Sequence, residues 1–238
     1  MNNGQLREHL QSRVDAVRER LARAAEASGR RAEDVTLVAA CKTQPDAMVA
    51  AAFDCGVRHF GENRPEELAR RHRVPDLAGR PIHWHLIGPL QSRKLKLLPP
   101  NLTLIQSVDR LKTARLLANT GLRTETPVPI LLQVNPAGEA SKQGVALGAA
   151  LPMAEAISQM EGLTPRGLMA MTPLDAGESE LRTLFAAVRA ELQRIQTSLV
   201  VPGWTELSMG MSQDFEPAVQ EGATIVRIGT SLFGPRAG

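Results

Sequence analysis

The sequence of 238 residues contains no tyrosine, so this chain has no phenolic hydroxyl that could act as an acid or a base. It has only two cysteines, Cys41 and Cys55, whose number and spacing form neither a disulfide framework nor a metal-binding pattern. Aromatic residues make up 3% of the chain, which leaves few rings for stacking on nucleic-acid bases. These shortages argue against a disulfide-stapled secreted protein and against a nucleic-acid partner, and they predict a cytoplasmic protein.

Long apolar runs are absent as well. No stretch approaches the roughly 18 apolar residues of a membrane span, and the charged N-terminus is unlike a signal peptide, so we expect no membrane attachment. Two basic clusters, "RRHR" at 70–73 and "RKLK" at 93–96, have no interleaved aromatic residues and are interpreted as solvated helix faces. The net charge of +3 comes from mixed charges and does not by itself indicate a nucleic-acid partner.

The apolar residues near the N-terminus follow a helical period. Steps of three and four predict an amphipathic helix over residues 5–28, which ends near Gly29 and has on one face Leu6, Leu10, Val14, Val17, Leu21 and Ala24. We expect residues 1–30 to form an extra N-terminal helix that packs on the rest of the chain.

After this helix, short apolar runs alternate with helical segments. The runs predict eight strands: "VTLVAAC", "VRHFGE", "IHWHLIG", "LTLIQSV", "VPILLQVN", "GLMAMT", "TELSMG" and "TIVRIGT". The helical segments between them are 45–55, 63–73, 91–98, 109–120, 146–160, 178–198 and 213–221. Eight near-continuous apolar strands alternating with helices predict an α/β protein, a single (β/α)8 TIM barrel. We expect residues 1–238 to form one domain.

An open doubly wound sheet is the alternative architecture. Such a sheet usually has five or six strands and a glycine-rich phosphate turn after the first. Here the first strand is followed by "KTQP", which contains no glycine, so the barrel is favoured.

In such a barrel the functional face lies at the carboxyl ends of the strands. Lys42 ends the first predicted strand, whose other residues are small or apolar. A lysine amine in a partly apolar site becomes neutral more readily, and a neutral amine can form a Schiff base with an aldehyde. A strand-end lysine that extends into solvent is the simpler alternative, which the position of Lys42 alone favours.

The last two predicted strands end on small residues. In "RIGTSLFG", Gly229, Thr230 and Ser231 stand where a short helix could begin, and its free backbone N–H groups and dipole suit a phosphate. "SMGMSQD", at 208–214, would supply the neighbouring half of the usual phosphate site of a barrel. A small-residue turn with Ser212 or Asp214 as the N-cap of the next helix is the alternative, and both can hold together.

Arg227 lies two residues before Gly229 and therefore on the same face of the eighth predicted strand. A buried arginine requires a partner, which could be Glu62 or Glu206 within the barrel, or else a ligand atom. An amine at Lys42, a phosphate loop and a ligand-facing arginine together suggest an aldehyde that carries a phosphate. Pyridoxal 5′-phosphate (PLP) is the obvious example.

These residues stand in eight ordered stretches: "LVAACKTQP", "RHFGENR", "IHWHLIGPLQSRK", "SVDR", "VNPAGEASKQG", "GLMAMTP", "LSMGMSQDF" and "GATIVRIGTSLFGPR". Over residues 35–236 the sequence resembles the pyridoxal phosphate homeostasis protein family, also called the YggS/PROSC family. The resemblance implies a barrel of the alanine racemase N-terminal-domain type (PLP fold type III). It also implies PLP held as an internal aldimine on Lys42.

The resemblance implies roles for further residues. Arg227 would face the pyridine nitrogen, and Asn63 would line the pocket near the lysine. Gly229 and Thr230, with Ser208, would contact the phosphate. No catalytic residue and no metal ligand is predicted.

The sequence departs from the family pattern at three positions. Gln44 stands where lysine is frequent, Arg64 where tyrosine is frequent, and Pro89 where histidine is common. The departures leave Lys42 and the phosphate stretch untouched, and they put in question only the pocket rim and a role for a second lysine there.

Two functions follow from the resemblance. The first is a non-catalytic protein of PLP homeostasis, a monomer that buffers PLP or delivers it to apo PLP-dependent enzymes. The second is a PLP-dependent amino-acid racemase. Racemases of this fold use a lysine and a tyrosine from a second domain, and this chain has no tyrosine. His85 or Cys41 could replace that tyrosine, but a strand histidine and a small core cysteine are the simpler interpretations. A carboxylate at the pyridine nitrogen would keep it protonated, whereas a guanidinium cannot accept a hydrogen bond from that proton, so the ring would stay neutral and stabilise a carbanion weakly.

Overall fold

The structure is a computed structural model that describes residues 3–100, 102–139, 142–173, 175–199 and 203–235. Within these residues one parallel sheet contains β1 (Thr36–Ala40), β2 (His59–Glu62), β3 (His83–Leu86), β4 (Leu104–Val108), β5 (Val128–Asn135), β6 (Val145–Ala146), β7 (Leu163–Ala170), β8 (Glu206–Ser208) and β9 (Ile225–Ile228). Most residues of these strands are buried, as expected for strands covered on both faces.

The sheet closes on itself. Neighbouring strands pair in the order β1, β2, β3, β4, β5, β7, β8, β9, and β9 pairs back with β1 through Val38 and Arg227, among other residues. The eight strands of this ring are the eight predicted from the sequence, so the (β/α)8 barrel is confirmed. The two-residue strand β6 pairs with the end of β5 and was not predicted, because two residues are too few to show a period.

Helices cover the outside of the barrel. They are α1 (Asn3–Glu26), α2 (Asp46–Asp54), α3 (Pro65–Arg71), α4 (Leu111–Arg123), α5 (Ala150–Ser158), α6 (Glu178–Leu199), α7 (Phe215–Gln220) and α8 (Thr230–Phe233). Short 3₁₀ helices span Ala32–Asp34, Ser92–Leu97 and Leu147–Ala149. The helix predicted over 91–98 is one of these, and it ends before Leu98, which is extended because Pro99 disfavours the α conformation in the residue before it.

The N-terminal helix packs on the outer helix layer. α1 contacts α2, α7 and α8, and its apolar face is at most 4% exposed at Leu10, Val14, Val17 and Leu21. It ends two residues earlier than predicted, and Gly29 follows with a positive φ of 70°. None of the described helices is long and apolar enough to cross a membrane.

The inside of the barrel is apolar at one level and polar at the next. The apolar level is a cluster of inward side chains, Val38, Leu104, Leu131, Met169 and Ile225. Two residues further along their strands, Gln106 follows Leu104 and Arg227 follows Ile225 on the same inward faces. A polar layer therefore lies between the apolar cluster and the carboxyl ends of the strands.

Candidate functional site

A cleft of about 650 Å³ opens at the carboxyl ends of the strands. Segments that follow β1, β7, β8 and β9 line it together with α6, through Lys42, Pro173, Ala176, Leu181, Met211, Ser212, Gln213, Asp214 and Thr230. Two predicted site residues, Lys42 and Thr230, thus share one cavity although they are far apart in sequence.

Lys42 lies in the turn that follows β1, where its side chain is half-buried. In the pairing of β1 with β2, Ala40 stands opposite Gly61, so Lys42 and Asn63 each lie two residues beyond a paired position. The register therefore puts Asn63 and Lys42 at the same end of neighbouring strands, although Asn63 is not among the residues that line the cleft. A Cβ on Gly88 would lie 2.3 Å from the carbonyl oxygen of Asn63, so the loop after β3 can cross Asn63 only with glycine.

The start of α8 presents two backbone N–H groups to one oxygen. The amides of Gly229 and Ser231 both donate to the hydroxyl oxygen of Ser212, each at 3.2 Å. Thr230, between them, is exposed to the cleft. Amides that converge on one oxygen at a helix start also suit an oxygen of an anion.

The loop after β8 is held in place by Asp214. This buried carboxylate accepts hydrogen bonds from the Met211 amide and the Thr172 hydroxyl, both at 2.6 Å. Asp214 occupies the N-cap position of α7, as one alternative predicted, but its carboxylate makes no cap hydrogen bond there. The other candidate for that cap, Ser212, instead faces α8.

Ser208 and Arg227 meet inside the barrel, below the cleft. Arg227 is 4% exposed and donates to the Ser208 hydroxyl at 2.6 Å and to the Ala170 carbonyl at 2.8 Å. Burial lowers the pKa of Arg227 to about 10, which leaves the guanidinium charged at neutral pH. Ser208 is 1% exposed, and its hydroxyl lies against Arg227 and not among the residues that line the cleft.

The predicted salt bridge of Arg227 with Glu62 or Glu206 is wrong. Glu62 pairs with Arg71 at 2.6 Å, and Glu206 accepts a hydrogen bond from Thr224 at 2.5 Å. The described partners of the Arg227 guanidinium are instead the Ser208 hydroxyl and the Ala170 carbonyl.

A chain of hydrogen bonds continues from Ser208 through the barrel. The Ser208 hydroxyl donates to the Gln106 carbonyl oxygen at 2.6 Å, and the Gln106 amide donates to Nδ1 of His85 at 3.0 Å. His85 then donates through Nε2 to Nδ1 of His59 at 2.9 Å. Every donor in the chain therefore points away from Arg227, and both histidines accept through Nδ1.

Neither candidate for a second base lines the cleft. His85 is 2% exposed inside the barrel, and burial lowers its pKa to about 3, so it is neutral. Cys41 is fully buried, its thiol donates to Glu62 at 3.2 Å, and burial raises its pKa. Among the described residues, no three histidine, cysteine or acidic side chains are grouped so as to hold a metal ion.

The family of the chain follows from its sequence relatives. The profile described as "Alanine racemase, N-terminal domain" matches residues 13–237. A relative in Pseudomonas aeruginosa, named pyridoxal phosphate homeostasis protein, is 42% identical over 224 residues, which is 94% of each chain. The chain belongs to the pyridoxal phosphate homeostasis protein family. The resemblance seen in the sequence stretches is thereby confirmed.

Solved structures agree with this membership of the homeostasis protein family. PipY of Synechococcus elongatus PCC7942, solved with PLP bound, has a TM-score of 0.80 and 32% identity, and the match covers 94% of this chain and 100% of PipY. Alanine racemase from Bartonella henselae has a TM-score of 0.73 at 14% identity, a likeness that shows the fold alone. The match covers 96% of this chain but 59% of the racemase.

The departures from the family pattern lie around the turn and the rim. Gln44 is half-buried in the Lys42 turn, while Arg64, which precedes α3, and Pro89, which follows β3, are exposed. Only Gln44 is part of the segment that carries Lys42.

Three residues near the site escaped the sequence interpretation. Ser212 was named singly only as a helix cap, although it lies in the stretch 208–214 predicted for the phosphate site. Gln106 was counted with an apolar strand, although a glutamine two residues after Leu104 marks an inward polar position. Arg71 was interpreted as part of a solvated helix face, which is wrong because it is 1% exposed. Its spacing of three residues from the buried Leu68 was the available signal.

Proposed function

We propose that the protein binds PLP covalently through Lys42 and serves PLP homeostasis by buffering the cofactor or delivering it to other proteins. The observation that carries this proposal is the shared cleft, in which Lys42 lies with Thr230 and Ser212. The names of the relatives and the PLP bound to PipY support the same ligand.

The residues present fit PLP by their chemistry. The amides of Gly229 and Ser231 and the hydroxyl of Thr230 would hold the phosphate, because they supply donors at the start of α8. Arg227 would face the pyridine nitrogen from below the cleft, and Asn63 would line the side beside Lys42.

Ser208 has a different relation to the ligand. The family resemblance implies that Ser208 contacts the phosphate, whereas in this structure its hydroxyl accepts from Arg227 and donates to Gln106. Its contribution to PLP affinity would then come through Arg227 or through a rotated hydroxyl.

Lys42 would supply the covalent link. The lone pair of Nζ adds to the aldehyde carbon of PLP, and the aldehyde oxygen leaves as water together with the two amine protons. A cleft rather than a closed cavity leaves this bond accessible to water and to acceptor proteins, which suits a reservoir better than an enzyme.

The racemase alternative is not favoured. Racemisation needs a second acid–base group on the far side of the substrate, and the chain contains no tyrosine. His85 and Cys41 do not line the cleft, and the charged Arg227 could only donate to the ring nitrogen, which would leave the ring neutral and weak at stabilising a carbanion. We propose further that the protein is a single-domain, cytoplasmic monomer and that apo PLP-dependent enzymes are its acceptors.

The attachment is tested by reduction and peptide mapping. Protein incubated with PLP should gain an absorbance band at the edge of the visible range, and borohydride should fix the cofactor on Lys42. Lys42→Ala should lose the band, while Lys94→Ala, whose lysine pairs with Glu66 at 2.7 Å, should keep it. Label on Lys142 or Lys94 with Lys42 unmodified would show that the assignment is wrong.

A further inference from the structure

Arg71 is a buried arginine next to the Lys42 turn. It is the last residue of α3 and is 1% exposed, whereas Arg70 beside it is 44% exposed along its side chain. Burying a guanidinium costs free energy unless each of its N–H groups donates to an acceptor. The acceptors of Arg71 therefore indicate which part of the structure it stabilises.

The guanidinium of Arg71 donates hydrogen bonds to two carboxylates and to two backbone carbonyls. Nε donates to Glu62 at 2.6 Å, and Nη1 donates to Asp46 at 2.5 Å. Nη2 donates to the carbonyl oxygen of Gln44 at 2.7 Å and to that of Cys41 at 3.3 Å. One planar group thus bridges the end of β2, the start of α2, and two backbone carbonyls.

The two carbonyls are those that bracket Lys42. The turn from Cys41 to Gln44 is closed by the Gln44 amide, which donates to the Cys41 carbonyl at 3.0 Å. Within it Thr43 has a φ of 65°, a left-handed conformation that a β-branched residue disfavours. Such a turn persists only when its surroundings hold it, and Arg71 contacts the backbone on both sides of the lysine.

We propose that Arg71 is a positioning residue for Lys42. By holding the carbonyls of Cys41 and Gln44, it fixes the turn so that the Lys42 amine is directed to the ligand in the cleft. This inference rests on the proposed covalent attachment at Lys42. The fork of donors is essential to it, because a lysine could pair with Glu62 but could not reach both carbonyls at once.

The chain offers a matched control at the neighbouring position. Arg70 also pairs with Asp46, at 2.7 Å, and with Glu67 at 3.0 Å. Its described hydrogen bonds go to carboxylates alone and include no carbonyl of the Lys42 turn. Arg71→Lys and Arg70→Lys therefore make the same chemical change, once at the turn and once beside it.

Two ligands distinguish an effect on the position of Lys42 from a general loss of folding. PLP has an aldehyde that can bond to Lys42, whereas pyridoxine 5′-phosphate has the same ring and phosphate but an alcohol in place of the aldehyde. We expect Arg71→Lys to weaken PLP binding by about tenfold or more and to change pyridoxine 5′-phosphate binding by less than about twofold. Arg70→Lys should leave both affinities within about twofold.

Hydrogen exchange in the ligand-free protein gives an independent measurement. The Gln44 amide closes the turn, so Arg71→Lys should speed its exchange by about tenfold or more, and Arg70→Lys should leave it unchanged. If Arg71→Lys does not fold, the paired variant Glu62→Gln with Arg71→Gln removes both buried charges together and is expected to behave in the same way.

Three outcomes would overturn the proposal: unchanged PLP affinity in Arg71→Lys, an equal loss for both ligands, or an unchanged exchange rate at Gln44. A wild-type protein that forms no bond between PLP and Lys42 would instead overturn the proposed function. The exchange measurement still decides in that case whether Arg71 holds the turn.

Discussion

At the residue scale, Thr230 tests where a phosphate would bind, and Ser208 tests whether its hydrogen bond to Arg227 supports binding. Each of Thr230→Ala and Ser208→Ala is expected to weaken PLP affinity by about tenfold or more, because a hydrogen bond to a charged group contributes roughly 1.5–3 kcal/mol. Thr230→Ala removes a hydroxyl from the cleft, and Ser208→Ala removes the hydroxyl that accepts from Arg227. Absorbance titration with PLP measures both losses.

The controls for these two variants use a second ligand and a distant threonine. Pyridoxal lacks the phosphate, so Thr230→Ala should bind it as the wild type does. Thr205→Ala removes an exposed hydroxyl next to Glu206, at the opposite end of β8, and should leave PLP affinity unchanged. Wild-type PLP affinity in Thr230→Ala would place the phosphate elsewhere, and wild-type PLP affinity in Ser208→Ala would mean that its hydrogen bond to Arg227 does not support binding.

At the scale of elements, five barrel strands share one chain of hydrogen bonds. Arg227 of β9, Ser208 of β8, Gln106 of β4, His85 of β3 and His59 of β2 follow one another with donor–acceptor distances of 2.6–3.0 Å. The chain needs both histidines neutral, because a protonated Nδ1 has no lone pair to accept with. The strands are therefore tied together by groups that acid would disrupt.

Acid should destabilise the fold through these histidines. Burial, the largest cause, lowers the pKa of His85 to about 3 and that of His59 to about 4, against roughly 6.5 in an unfolded chain. As the pH falls from 6.5 to 5, the unfolded chain takes up protons that the native chain does not, so the free energy of unfolding decreases. The stabilisation is fully present above pH 6.5 and is lost toward pH 3.

The variant His85→Gln tests this pH dependence. Glutamine can accept from Gln106 and donate to His59, as His85 does, but it does not titrate. Urea unfolding at pH 6.5 and at pH 5 should show a loss of stability that is about half as large in His85→Gln as in the wild type. An equal loss in both proteins would mean that His85 does not contribute.

At the scale of the whole molecule, racemase activity depends on whether the cleft holds a second acid–base group. The sequence contains no tyrosine, and neither His85 nor Cys41 lines the cleft. Proton transfer by one positioned group contributes roughly 10²–10⁴-fold to a rate, so a site without a tyrosine opposite Lys42 should exchange α-protons slowly. Proton NMR of alanine and other amino acids in D2O, with PLP-loaded protein, measures the exchange.

The size of that exchange separates the two functions. Exchange rates near the enzyme median of about 10 s⁻¹, together with inversion at the α-carbon, would show that the protein is a racemase. Exchange slower by orders of magnitude, together with transfer of PLP to an apo-enzyme, is the expected result. PLP alone and the Lys42→Ala variant provide the background rates.

The sequence by itself determined the architecture, because that information is local and periodic. Eight apolar runs alternating with helical segments were sufficient for the barrel, and Gly229 and Thr230 marked the short helix α8. Boundaries shifted where neighbouring prolines or a 3₁₀ turn changed the backbone, as over 91–98 and 146–149. The family was also present in the sequence, in ordered stretches.

Only the tertiary structure decided which polar groups meet. Ser208 and Gln106 are 102 residues apart in sequence, and no period links them, yet barrel closure brings their side chains to 2.6 Å. Arg70 and Arg71 carry the same charge, but the packing of α3 against β2 exposes one and buries the other against the Lys42 turn. A buried charge is tolerated only where several chain segments supply its acceptors, and that condition exists only once the barrel has closed.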